Sequence, residues 1–167
     1  QQQGDPLDFM ALTEHGAYMG VSASVDDENH PLRRHELIQG LLSEDEETRN
    51  ATMMRFLRSL ATGESIPAFD KDEVVEPTWK RIVELADQHN VPGEFTAFVA
   101  YEYTSMPDGQ NLHRNVVFRG NDVPRRPFSS LDSTNPEDLW DWLDEVRETG
   151  DDVIAIPHNQ NASNGLM

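Results

Sequence analysis

Four side chains in this sequence could share a metal ion: His15, Glu102, His113 and His158. Imidazole and carboxylate are the ligands that zinc, manganese and iron accept, and a carboxylate among imidazoles can bridge two such ions. His15 and His158 each follow a short apolar run, LDFMAL and VIAI, that reads as a buried strand. Glu102 lies inside FTAFVAYEYT, the strongest strand pattern in the chain, and His113 begins the next one, LHRNVVFR. Strand ends in α/β folds converge on one mouth and carry the chemistry there, so the four residues share one kind of address.

Strand alternation puts Phe98, Ala100 and Glu102 on one face and Val99, Tyr101 and Tyr103 on the other. A carboxylate among apolar neighbours needs a partner, since burying it alone is very unfavourable. A metal ion is one partner; a salt bridge to Arg114 or Arg119 is another, and the spacing leaves both open. Glu14, beside His15, reads as a carboxylate that orients the imidazole rather than as a ligand. Arg114 could hold an anionic group of a substrate. Asn111 and Asn159, with Asn115, Asn161 and Asn164, crowd around His113 and His158 and could bind substrate or tie down loop backbone. His30, His35 and His89 stand among charged neighbours and read as surface residues. The sequence has no serine nucleophile elbow, no phosphate-cradling glycine loop and no dinucleotide fingerprint.

The elements that would carry these residues follow from periodicity. Residues 17 to 90 read as helical, with apolar positions at helical spacing over His35–Leu42, Glu46–Leu60 and Asp72–Asn90. Met53, Met54, Phe56, Leu57 and Leu60 should face a core, and Pro77 should open the third helix near Glu76. Pro107-Asp108-Gly109 marks a turn that makes a hairpin of the two strands around it. Asn135 caps a helix opened by Pro136, buried through Leu139, Trp140, Leu143 and Val146 and stopped by Gly150. The order is strand, helical insert, two strands, helix, strand: an α/β pattern in one domain over 1–167, with 17–90 as a mainly helical insertion.

With 31 acidic and 13 basic residues the formal net charge is -18. Such a surface repels nucleic-acid phosphates and anionic membranes, so neither is expected as a partner. No stretch approaches the roughly 20 apolar residues of a membrane span. The absence of cysteine excludes disulfides and thiolate-bound zinc and leaves the compartment open.

LDFMALTEHGAY, FVAYEYTSMPDGQNLHRNVVFRG, PFSSLDSTNPEDLWDWL and IPHNQNASNGLM together resemble the domain of unknown function 3604, a family related to the PHP (polymerase and histidinol phosphatase) metallohydrolases. The resemblance runs over nearly the whole chain. It implies part of a distorted PHP-like β/α, TIM-like barrel with a helical insertion after the first strand. It also implies two or three divalent metal ions (zinc, manganese or iron) and hydrolysis of a small, anionic substrate, most simply a phosphoester, by metal-activated water. In this reading Thr13-Glu14-His15 resembles the family's Thr-Asp-His element, with glutamate in place of aspartate. Glu102 resembles the bridging carboxylate, and His113 and His158 the two later imidazole ligands. Glu102 and His158 carry the catalysis. The family's His-x-His and Asp-x-His elements do not occur, so the chain is expected to be an internal segment of a longer protein. Two alternatives stay open: a hydrolase of another ester or amide bond at the same site, and a non-catalytic binding module that kept the barrel.

Overall fold

The structure, a computed structural model, describes residues 7–166. Its order of elements is mixed α/β. Strand β1 (Phe9–Ala11) leads into helices α1 (Ala23–Asp26), α2 (Glu36–Leu41), α3 (Glu46–Thr62) and α4 (Asp72–His89). Strands β2 (Thr96–Phe98), β3 (Ala100–Tyr103) and β4 (Arg114–Phe118) follow, then helix α5 (Pro136–Glu148) and strand β5 (Val153–Pro157).

β1 pairs with β2 in parallel, while β3, β4 and β5 form an antiparallel sheet in that spatial order. The hairpin of β3 and β4 is as expected, and β4 runs against both of its neighbours. The sheets do not close into a barrel among the described residues. The antiparallel direction of β4 matters for the site. It brings the residue before β4 to the same end of the sheet as the residues that close β3 and follow β5.

The two faces of the β3–β4–β5 sheet differ. Tyr101, Tyr103, Val116, Phe118 and Val153 pack under α4 and α5, against Trp79, Ile82, Leu139, Leu143 and Val146. The opposite face carries Ala100, Glu102, Asn115, Val117, Ile154 and Ile156, by register and alternation. There Ile154 and Ile156 are exposed, as are Leu7, Phe9, Met10 and Leu12 around β1. The apolar runs LDFMAL and VIAI are therefore strands, but only the Val153 side of the second is buried. The first is covered on neither face by the described residues.

A second core joins Val21, Leu37, Ile38, Phe56, Phe69 and Val74, and α4 links it to the first through Val74 and Val75. In α3 the expected core positions Met53, Met54 and Leu57 are exposed, and the buried stripe is Thr52, Phe56 and Ser59. The reason is a close helix crossing. A Cβ at Gly40 of α2 would collide with the Thr52 side chain, so small residues set the contact and α3 is rotated to present them. Trp140 is likewise exposed, and Trp142 packs against Phe118 and Phe128 in its place. α4 begins at Asp72 and contains Pro77, instead of starting at Glu76. A proline past the first turn is unfavourable in an isolated helix; burial of Val74, Val75, Trp79 and Ile82 offsets it. Asn135 caps α5 as expected, accepting from Glu137 N–H at 3.2 Å.

Asp45 caps α3, accepting from the Thr48 hydroxyl at 2.5 Å and the Thr48 N–H at 2.9 Å. These bonds hold its carboxyl below the usual aspartate range. A carboxyl with a lower pKa in the folded chain stabilises above its unfolded pKa, and that contribution is lost as the pH falls through the folded value. Asp45→Ala should therefore lower Tm by a few degrees at neutral pH. The difference should shrink as the pH falls below the ordinary aspartate range and through the folded value of the carboxyl. Thermal melts of both proteins across pH check this.

Candidate functional site

Glu102 is the fixed point of the site. Its backbone is gripped from the β1 side: Glu102 N–H donates to Glu14 O at 2.8 Å, and Gly16 N–H donates to Glu102 O at 2.8 Å. This parallel bridge lays His15 alongside Glu102. The approach requires glycine at 16, since a Cβ there would lie 2.9 Å from the Tyr101 ring. On its other side Glu102 pairs with Asn115, so the turn before β4 delivers His113 to the same end.

The Glu102 carboxylate lies between two imidazoles. His113 Nδ1 is 2.6 Å from Oε1, and His15 Nδ1 is 3.4 Å from Oε2. Glu102 and His113 are buried, whereas the His15 side chain is 63% exposed. The 2.6 Å contact pairs Glu102 Oε1 with His113 Nδ1, and the buried His113 Nε2 has no hydrogen-bond partner among the described residues. Burial raises the pKa of Glu102, but the His113 contact and the nearby His15 and His158 outweigh it, leaving the carboxyl below its ordinary value. It is ionised at neutral pH.

His158 reaches this end of the sheet through its backbone. Its N–H donates to His113 O at 3.0 Å, and the ring is near enough to Glu102 to favour the carboxylate. The same His113 carbonyl accepts from Arg114 Nη1 at 3.3 Å, which also donates to Leu112 O at 2.8 Å. Arg114 pairs across the sheet with Tyr103, which puts it on the face opposite Glu102. Its guanidinium is buried and stacks over Trp140, 5.3 Å from the ring centre. It braces the His113 turn from beneath, and the salt bridge to Glu102 that the sequence left open does not form. Arg119 pairs instead with Asp152, at 2.7 Å.

Glu14 is exposed and serves Glu102 through its carbonyl. Asn111 ties the loops: its Oδ1 accepts from His113 N–H at 3.3 Å, and its own N–H donates to Ala162 O at 2.9 Å. Asn159 is exposed, in a left-handed conformation at φ 57°. His35, read as a surface residue, caps α2 by accepting from Leu37 N–H and packs on Phe69. One site residue escapes the sequence reading. Thr104 Oγ1 lies 2.7 Å from His15 Nδ1. Its signal was the same alternation that picked out Glu102, which places residue 104 on that face.

The donor chemistry suits a divalent ion: two imidazoles beside an ionised, buried carboxylate and a third near it. Two ligand atoms about 2.1 Å from a tetrahedral ion lie roughly 3.4 Å apart, which the His15–Glu102 separation matches and the 2.6 Å His113–Glu102 contact does not. No group of three or more His, Asp or Glu is arranged to hold an ion among the described residues. The residues thus meet in pairs around Glu102.

Below Glu102, on its own face, an apolar hollow of about 590 Å³ is lined by Phe9, Phe98, Asn115, Val117, Ile154 and Ile156. No helix among the described residues is long and apolar enough to cross a membrane.

The geometry predicts coupling. His113→Ala leaves a buried carboxylate without its nearest partner and should reduce unfolding free energy by about 1–3 kcal/mol. Adding Glu102→Gln should recover part of that loss, because a neutral amide is easier to bury. Urea unfolding of the two single variants and the double variant measures this; strict additivity would show that the two side chains are not coupled.

Comparison with curated proteins and with solved structures returns no match. The family model described as protein of unknown function (DUF3604) matches residues 1–167, and the chain belongs to that family.

Proposed function

We propose that this chain carries part of the active site of a PHP-like metal-dependent hydrolase acting on small phosphoesters. The observation behind this reading is the buried, ionised Glu102 between the Nδ1 atoms of His15 and His113, with His113 Nε2 lacking a hydrogen-bond partner among the described residues. An arrangement made for stability alone would be expected to satisfy that buried nitrogen. The fold this reading invokes is a distorted β/α barrel, with the described strands forming part of its wall.

His15, Glu102, His113 and His158 would hold the ions. Divalent ions bound there would supply a hydroxide at neutral pH and balance the charge of a phosphoryl group. Glu102 keeps its negative charge because the His113 contact and the nearby His15 and His158 outweigh the effect of burial. Arg114 and Asn111 hold the backbone of His113, and His113 in turn holds that of His158. The -18 net charge disfavours long polyanionic substrates, so a small anion bound at an ion is the substrate class that fits.

Elemental analysis of the full-length natural protein, purified without chelator, tests the reading. Two or more divalent ions per chain are expected, lost in Glu102→Ala. Turnover of phosphomonoesters should fall in Glu102→Ala and His158→Ala by more than the roughly 10–100-fold that follows loss of an outer partner, with thermal unfolding still cooperative. Metal without phosphoester turnover, but with turnover of another ester or an amide, would keep the site and change the substrate. No metal after zinc or manganese is added back would favour the binding module.

A further inference from the structure

The contact between His15 and Thr104 decides which nitrogen of His15 is available. His15 Nδ1 faces two oxygens at once, Thr104 Oγ1 at 2.7 Å and Glu102 Oε2 at 3.4 Å. An ionised carboxylate can only accept, so a lone pair on Nδ1 would face Oε2 unfavourably, and the charge favours the proton on Nδ1. Thr104 then accepts from Nδ1–H and directs its own hydrogen to Glu102 O, 3.5 Å away on the same strand. Nε2 is left with its lone pair on a ring that is largely exposed. Thr104 is 4% exposed, so its hydroxyl is shielded from competing water and has few alternative partners.

We propose that Thr104 is a positioning residue that fixes His15 as the Nδ1–H tautomer and so presents the Nε2 lone pair to an incoming ligand. In metal sites, the partner of the second ring nitrogen sets tautomer and ring orientation; here a buried hydroxyl shares that role with a carboxylate. The ligand class is an electrophile that takes a neutral imidazole, a divalent cation first among them. That part of the inference rests on the metal reading proposed above; the tautomer itself does not.

The test has two arms. The first is nitrogen-15 NMR of the histidine rings in metal-free protein at about pH 8.5, above the ordinary imidazole range. Wild type and Thr104→Ser should show His15 as the Nδ1–H tautomer, and the isosteric Thr104→Val should shift it toward Nε2–H. The second is titration with manganese or zinc alone, in which Thr104→Val should bind about 10–100-fold more weakly than wild type and Thr104→Ser within a few-fold. A wild-type spectrum showing Nε2–H on His15 overturns the proposal without any variant. An unchanged tautomer in a folded Thr104→Val overturns it as well. A tautomer shift in protein that binds no metal upholds the role of Thr104 and removes the metal reading instead.

Discussion

A carboxylate taken out of water has to be met by positive charge or by hydrogens, and the burial of Glu102 imposes that demand on everything around it. Taking such a group from water is unfavourable by several kcal/mol unless partners are held in place. The chain holds them through backbone. Glu14 and Gly16 grip Glu102 from one side, Asn115 opposes it from the other, and the His113 carbonyl gathers His158 and Arg114. The side chains that could do chemistry are therefore brought together by strand pairing. The glycine at 16 and the aromatic ring of Tyr101 beside it belong to the same constraint.

The opposite face of the sheet anchors this end in the core. Tyr101, Tyr103 and Phe118 form an aromatic layer with Trp79, Trp142 and Phe128, part stacked and part edge-to-face. Tyr103 donates to Ser133 O at 2.8 Å, and Trp79 Nε1 donates to Pro124 O at 2.8 Å. Both bonds pin the loop between β4 and α5. Burial pushes the Tyr103 hydroxyl up to about 12, so this bond persists across the pH range in which imidazoles titrate. Residues one step apart on β3 thus divide the labour: odd positions anchor the core, and even positions face the site.

Much of this was legible in the sequence, for physical reasons that can be named. Caps, turns and the β3–β4 hairpin are local, and Asn135, Gly150 and Pro107-Asp108-Gly109 report them directly. The gathering of His15, Glu102, His113 and His158 followed from strand ends, although the antiparallel β4 reached the same end by its beginning. What escaped depends on contacts between elements. Nothing local in α3 tells that Gly40 and Thr52 set its rotation and leave Met53 and Leu57 outside. Arg114 looked like an anion ligand because it adjoins His113; only its pairing with Tyr103 reveals that it points the other way. Thr104 went unread because a hydroxyl gains meaning only once His15 is seen beside it.

The central claim is that Glu102 and its imidazoles form one cation-binding centre. Anomalous diffraction from crystals of the protein soaked in manganese or zinc tests it most directly. The account predicts an anomalous peak within coordination distance of a Glu102 oxygen and of at least one of His15, His113 and His158, absent from Glu102→Ala crystals. A peak bound only elsewhere on the acidic surface, or none at this end of the sheet, would contradict it and leave the cluster as a structural ion pair.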